Sequence, residues 1–250
     1  MHAKQSLPNL NRGLISGQVR RVLIREMETG IFQDAEKLPS ELELCRQLGV
    51  SRTVVRDALS SMEEDGLVTR ARGVGTVINH AVVGMKNRLD RKLEYGELIA
   101  RSHFKPQTDG VRLREENADE RTAGQLGIPP GTRLLVCEKR VLAGETPVIY
   151  SSDRLPASLF SGMDIQKIDW GRPIFTILEK SCGIKIVENI ARLTATNADP
   201  LIRGQLNLKP GKALYRLDEV GRDAERRPIL SSVEYYTDFF RFSLLRKRKS

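Results

Sequence analysis

Arg52, Thr53, Arg56 and Ser60 are spaced so that, at about 100° per residue, all four share one arc of a helix, while Val55, Ala58, Leu59 and Met62 fall on the other side. A guanidinium is a rigid fork of donors that matches a phosphate or the edge of guanine, and a DNA major groove admits a helix. An isolated polar arc is usually a solvated face, so its meaning rests on what surrounds it. A few residues on, "LVTRARGVGTVI" carries Arg70 and Arg72 into a turn holding Gly73 and Gly75, followed by Thr76. An arginine at such a tip is attracted to the negative potential of a narrow minor groove, and glycine lets the backbone come close.

Chemistry of other kinds finds less support. Glu145, Asp153 and Glu234 are the carboxylates that a hydrolytic reading would need, but no nucleophile and base stand at a recognisable spacing. No glycine-rich phosphate cradle follows a strand pattern, so no catalytic residue is assigned. Cys45, Cys137 and Cys182 are odd in number and far apart, with no Cys-x-x-Cys pair. They read as reduced thiols of a cytoplasmic protein. His2, His80 and His103 are too scattered for a metal cluster, and no cofactor is expected.

The chain has 250 residues and a net charge of +9, which suggests a polyanionic partner. The distribution weakens that argument. Residues 1–80 hold 11 Lys and Arg against 10 Asp and Glu, so most of the excess lies further on, partly in the terminal "RKRKS". No apolar run approaches the roughly 18 residues that span a bilayer, and "MHAKQSLPNLNRG" lacks the apolar core of a secretory signal. A membrane partner is not expected.

The elements that must position the polar arc are legible on either side of it. Ile15, Val19, Val22, Leu23 and Met27 recur at helical spacing. Ser40-x-x-Glu43 has the form of a capping box for a short second helix, and Gly49 suits its left-handed end. Ser51 caps the helix that carries the arc, which Gly66 ends. Helix, helix-turn-helix and glycine hairpin, in that order, describe a winged helix.

Residues 13–80 resemble the DNA-binding domain of the GntR family of bacterial transcription regulators, through "LPSELEL", "LGVSRTVVRDAL", "DGLVTR" and "GVGT". The resemblance implies double-stranded operator DNA as partner, with Ser40, Arg52, Thr53, Arg56, Arg72, Gly73, Gly75 and Thr76 as contacts. Three positions depart from the family pattern. Leu42, Val54 and Val74 stand where polar or basic residues are common, and each is expected to remove a polar contact.

The rest of the chain repeats itself. "RLREENADERTAGQLGIPPGTRL" from Arg112 returns eighty positions later as "RLTATNADPLIRGQLNLKPGKAL" from Arg192, with 11 of 23 positions identical. Asn117 and Asn197 are expected to cap short helices that stop at Gly127 and Asn207, and a Pro-Gly turn and strands follow each. Each half thus reads as a helix followed by a hairpin. Neither buries enough alone, so two halves should join in one antiparallel sheet about a pseudo-dyad.

This region resembles the UTRA domain, the effector-sensing module of HutC-type GntR regulators, through "LGIPPGTRLL", "GETPVIYSSDRLP", "IFTILEKSCGIKI" and "SSVEYYTDFFRF". The fold class expected is therefore α+β: an N-terminal winged helix-turn-helix, then an antiparallel-sheet, chorismate-lyase-like UTRA domain with an internal duplication. The boundaries expected are an arm over 1–12, the winged helix over 13–80, a linker over 81–95 and the UTRA domain over 96–250. The resemblance places a small-molecule effector near Lys139, Arg140, Ser151, Phe175 and Tyr235. Where phosphosugar sensors carry more arginine and serine, this chain has Lys139, Val141, Pro173 and Phe175, so a less anionic effector or a vestigial site is expected. A homodimeric repressor released by its effector is the reading these features favour. The alternatives are a chorismate-lyase-like enzyme with a DNA-binding appendage and a sequence-tolerant architectural DNA binder.

Overall fold

The computed structural model describes residues 12–246, apart from residues 86, 92, 93 and 101. The expected arm over 1–12 therefore lies almost wholly outside the described residues, as do the last four residues of the basic tail. The chain divides into two compact units: residues up to 88 together with those from 243 onward, and Leu89–Phe242.

The first unit is built on α1 (Arg12–Thr29), α2 (Glu41–Leu48) and α3 (Arg52–Glu64). Leu23, Met27, Leu44, Val55, Leu59 and Met62 are buried together, which is the apolar face that helical spacing marks out. The Ser40 hydroxyl accepts from the Glu43 amide at 3.2 Å, and Gly49 ends α2 with φ 64°. Ser51 caps α3 by accepting from Val54 at 3.4 Å. The hairpin of β2 (Val68–Ala71) and β3 (Gly75–Ile78) is joined by a strand the sequence pattern did not show, β1 (Lys37–Leu38), in the order β1-β3-β2. The short helix α4 (His80–Val83) buries Val82 and Val83 in the same core, within the stretch expected as linker.

The second unit begins with α5 (Tyr95–Ala100) and is organised by six antiparallel strands: β4 (Pro106–Asn117), β5 (Arg133–Ala143), β6 (Thr146–Pro156), β7 (Glu188–Asn197), β8 (Ala213–Arg222) and β9 (Pro228–Tyr236). Their order, β4-β5-β6-β9-β8-β7, reads the same from either edge under the duplication, with β6 and β9 astride the pseudo-dyad. The helices are α6 (Glu120–Leu126), α7 (Ile174–Cys182) and α8 (Pro200–Leu206).

Two expectations about the repeat need correction. Asn117 and Asn197 are the last strand residues, paired with Arg133 and Ala213, so they do not cap. Asp119 and Asp199 do, accepting from Thr122 at 2.7 Å and Ile202 at 2.8 Å, with β-region backbone suited to the cap position. The repeated unit is also not a helix and hairpin alone, because β4 and β7 precede the helices and complete each half-sheet. The left-handed stops stand as expected, at Gly127 with φ 63° and Asn207 with φ 52°.

The halves interlock. α6 of the first half packs on β9 of the second, and α8 of the second packs on β6 of the first. The core of each half is thus completed by the other. On the opposite sheet face, α5 and α7 cover two apolar clusters.

Candidate DNA interface and effector site

The polar arc of α3 is exposed as the periodicity requires. Arg52, Thr53 and Arg56 all face solvent, and a groove runs from α3 to the wing, lined by Lys37, Ser40, Glu41, Arg52, Arg56, Arg72, Gly73, Gly75 and Thr76. Seven of the eight sequence-selected residues therefore meet in one concavity, and Thr53 lies beside it on the same exposed turn of α3. Gly73 and Gly75 hold φ at 78° and 98°, a region that L side chains adopt only with strain.

Within the groove the arginines differ. Arg52 Nε donates to Glu41 Oε2 at 3.0 Å, and Arg56 lies 4.0 Å from the same carboxylate. These exposed pairs are weak, about 0–1 kcal/mol, so a phosphate can displace them. Arg70 is held differently. It donates to Glu63 at 2.8 Å and to Ser60 at 3.0 Å, tying the wing to α3 and taking Ser60 out of the polar arc. Arg72 projects into solvent at the tip. Lys37 joins this face through β1, a residue missed because a two-residue strand has no periodicity to detect. Of the three departures, Leu42 and Val74 are exposed, whereas Val54 is buried in the α1–α3 core, so its replacement of a polar residue removes nothing from this surface.

The five residues expected at the effector site separate onto two faces of the sheet. Lys139 and Ser151 lie on the α7 face, and Phe175 on α7 packs into the apolar cluster there. Arg140 and Tyr235 lie on the α8 face. Arg140 is paired with Asp109 at 2.6 Å and donates to the Gln205 carbonyl, and Tyr235 packs against Ile202 and Leu206. Neighbours in a strand point oppositely, so Lys139 and Arg140 could not share one pocket.

The α7 face contains a buried polar layer between its two apolar clusters. Lys139 Nζ donates to the Arg172 carbonyl at 2.7 Å and to Trp170 at 3.3 Å. Asp153 accepts from Ser232 at 2.6 Å and Ser151 at 3.1 Å. Tyr95 donates to Glu234 at 2.5 Å, and Tyr236 donates to the same carboxylate. Burial raises the Asp153 carboxyl above its ordinary value, against the opposing pull of the Lys139 charge. Burial and then the charge of Glu234 push the Tyr95 and Tyr236 phenols well above 10. Asp153, Ser232, Glu234 and Tyr95 were not selected from sequence for this site. Alternation along β6 and β9 links the first three to Ser151, but only the sheet order brings the two strands together.

The α8 face carries a separate cleft of about 470 Å³ between α6 and α8, floored by Tyr150, Ser152, Arg154, Arg216 and Tyr235. Its charges are paired, Arg154 of β6 with Glu116 of β4 at 2.7 Å and Arg216 with Asp218, two residues along β8, at 2.8 Å. Among the described residues no cluster of His, Cys, Asp and Glu could hold a metal, and no helix is long and apolar enough to cross a membrane.

A winged helix with a basic, glycine-tipped groove, carried by the same chain as a duplicated sheet that buries ionisable groups, defines a DNA-binding transcription regulator. Comparison with known proteins gives the family. The model of the UTRA domain matches residues 101–238, and that of the bacterial regulatory proteins, gntR family, matches residues 15–78. The chain belongs to the GntR family and carries a UTRA domain. It is 26% identical over 241 residues to the HTH-type transcriptional regulator GgaR of Escherichia coli K12, covering 92% of this chain and 93% of that one. It is 30% identical over 117 residues to the histidine utilization repressor of Klebsiella aerogenes, covering 47% and 48%. The solved structure of YydK from Bacillus subtilis shares the fold, with a TM-score of 0.73 at 17% identity, covering 94% of this chain and 99% of that one. Family and fold together favour the regulator over the enzyme and the architectural binder.

Proposed function

We propose that this chain is a cytoplasmic repressor that binds a two-fold operator as a homodimer and is released by a small molecule, without catalysing a reaction. Its operator contacts are Ser40, Arg52, Thr53, Arg56, Arg72, Gly73, Gly75 and Thr76, to which the groove adds Lys37. The effector is read on the α7 face by Lys139, Ser151 and Asp153, beside Phe175. Arg140 and Tyr235 leave this assignment because they face the other way.

The observation that carries the proposal is the buried polar layer. Ionisable groups taken from water cost several kcal/mol unless paired, and in folded proteins they gather where a ligand is recognised. The carboxylates of Asp153, Glu219 and Glu234 in that layer favour a ligand that brings hydrogen-bond donors over a phosphate ester. The repressor sense is supported by the name of the Klebsiella relative. Mapping the DNA sites bound in cells supplies an operator and, from the neighbouring genes, candidate effectors. Retention of operator binding at saturating concentrations of every ligand that binds this domain would overturn the inducible mechanism.

A further inference from the structure

An apolar side chain stands in the basic groove between α3 and the wing. Leu42, the second residue of α2, lines that groove and is 58% exposed. The core does not claim it. Leu44 is buried and Leu48 half-buried in the cluster beneath α2, and at about 100° per residue Leu42 stands about 160° and 120° away from them around the helix.

Cations flank Leu42 on two sides. Arg46 follows one turn later on the same face of α2, with a side chain 70% exposed and only Glu43, at 3.6 Å, for an ion pair. Across the groove, Arg52 Nε donates to Glu41, the residue before Leu42, at 3.0 Å. That bond sets the first turn of α2 beside the first turn of α3, the end of a recognition helix that meets base edges. DNA whose phosphates are drawn to these arginines therefore closes over Leu42 and takes it out of water. What the leucine can meet there is narrow. Base edges in the major groove present donors and acceptors everywhere except at the C5-methyl group of thymine. Set against any other edge, an apolar side chain leaves a base donor or acceptor dry and unpaired, which costs free energy.

We infer that Leu42 seats against the C5-methyl group of one thymine in each operator half-site and so selects an A·T pair there. The leucine thus replaces a polar contact with an apolar one that carries sequence information. Val74, the other large apolar side chain exposed in this groove, has no such role. It stands at the wing tip, and the minor groove that the wing approaches presents no methyl group. The inference rests on the proposed operator reading and adds to it a base preference that no arginine supplies.

The probe is the tightest duplex selected from random DNA by the full chain, with each thymine of one half-site replaced in turn by deoxyuridine, which lacks only the methyl group. At the contacted position the replacement should weaken binding by the unsubstituted chain about fourfold, the worth of one buried methyl group. Leu42→Ala should bind the thymine and uracil duplexes equally to within about 1.5-fold, which assigns the loss to that pair of groups. Val74→Ala should discriminate as the parent does. The parent's own response to deoxyuridine stands even if the alanine chain is misfolded, which its melting temperature reads. A selected half-site without thymine, a parent indifferent to every deoxyuridine, or a methyl effect that persists at each position in folded Leu42→Ala overturns the inference. Arg52→Ala and Arg56→Ala separate the two readings. If they lose the selected site while Leu42 shows no coupling to a methyl group, the operator reading stands and this inference falls; a chain that selects no sequence sinks both.

Discussion

Glu41 shows how much a single side chain can modulate a basic surface. It sits in the first turn of α2, where an acid complements the helix dipole, and it also pairs with Arg52 and Arg56 inside the groove. Replacing Arg52 or Arg56 with Ala should weaken operator binding by about 1–3 kcal/mol if each reads a base. Glu41→Gln should act oppositely. It frees both arginines and removes a charge that repels phosphate, so binding should tighten by up to about fivefold, an exposed-pair magnitude of about 1 kcal/mol. The gain should shrink as salt is raised. Titrations of labelled operator at two salt concentrations test both, and unchanged affinity in the two alanine variants removes the arginines from the reader. In the other unit, Asp153 supplies a pH signature. Its carboxyl is raised by burial, so the folded chain binds that proton more readily than the unfolded chain. The stability this confers is complete below pH 3.8, the ordinary value, and is lost as pH rises through the raised one. The melting temperature of the parent minus that of Asp153→Asn should therefore fall as pH climbs from about 4. A difference that stays flat with pH would refute the burial effect.

At the scale of elements, the duplicated segment shows what a cap decides. Asn197 and Asp199 are both good capping types two residues apart, and the strand claims the first while the helix takes the second. Asp199→Ala should cost about 1 kcal/mol, the usual loss for a cap, while Asn197→Ala should cost markedly less. Thermal or urea melting distinguishes them, and equal losses would return the cap to Asn197. The same scale shows what ties the wing to α3. Arg70 spans from β2 to Ser60 and Glu63 of α3, so the hairpin is anchored at its base and leaves only the Gly73–Gly75 tip free to approach DNA.

For the whole molecule, regulation requires that the effector bind the DNA-competent and DNA-incompetent arrangements with different affinities. Coupling of about 1–3 kcal/mol is typical, which is roughly a 5–150-fold loss of operator affinity at saturation. Linkage makes the effect reciprocal, so operator DNA should weaken effector binding by the same factor. Calorimetric titration of the effector with and without operator measures one side of that cycle, and DNA titration measures the other. Lys139→Ala should abolish the coupling while leaving operator affinity in the ligand-free protein unchanged. A loss of DNA binding in ligand-free Lys139→Ala would instead mark the lysine as part of the fold, since it holds the Trp170 and Arg172 carbonyls.

The sequence by itself determined the features governed by short-range physics. Helical spacing marked the buried face of α3, Ser40 and Ser51 announced their helices, glycines located the wing and, with Asn207, the left-handed stops, and the repeat declared a two-fold sheet. These rules act within a few residues, so a linear reading reaches them. Even where that reading erred, the information was near: Lys139 and Arg140 are adjacent in a strand pattern, which already forbids a common pocket. The tertiary structure alone decided which strands lie side by side, that α6 and α8 cross to the opposite half, and that Asp153, Ser232 and Glu234 meet beneath α7. It also decided that Leu113 is covered and its repeat partner Leu193 exposed. Those outcomes depend on pairings between residues far apart in the chain, whose cost in conformational entropy is met only when the sheet and its helices close together.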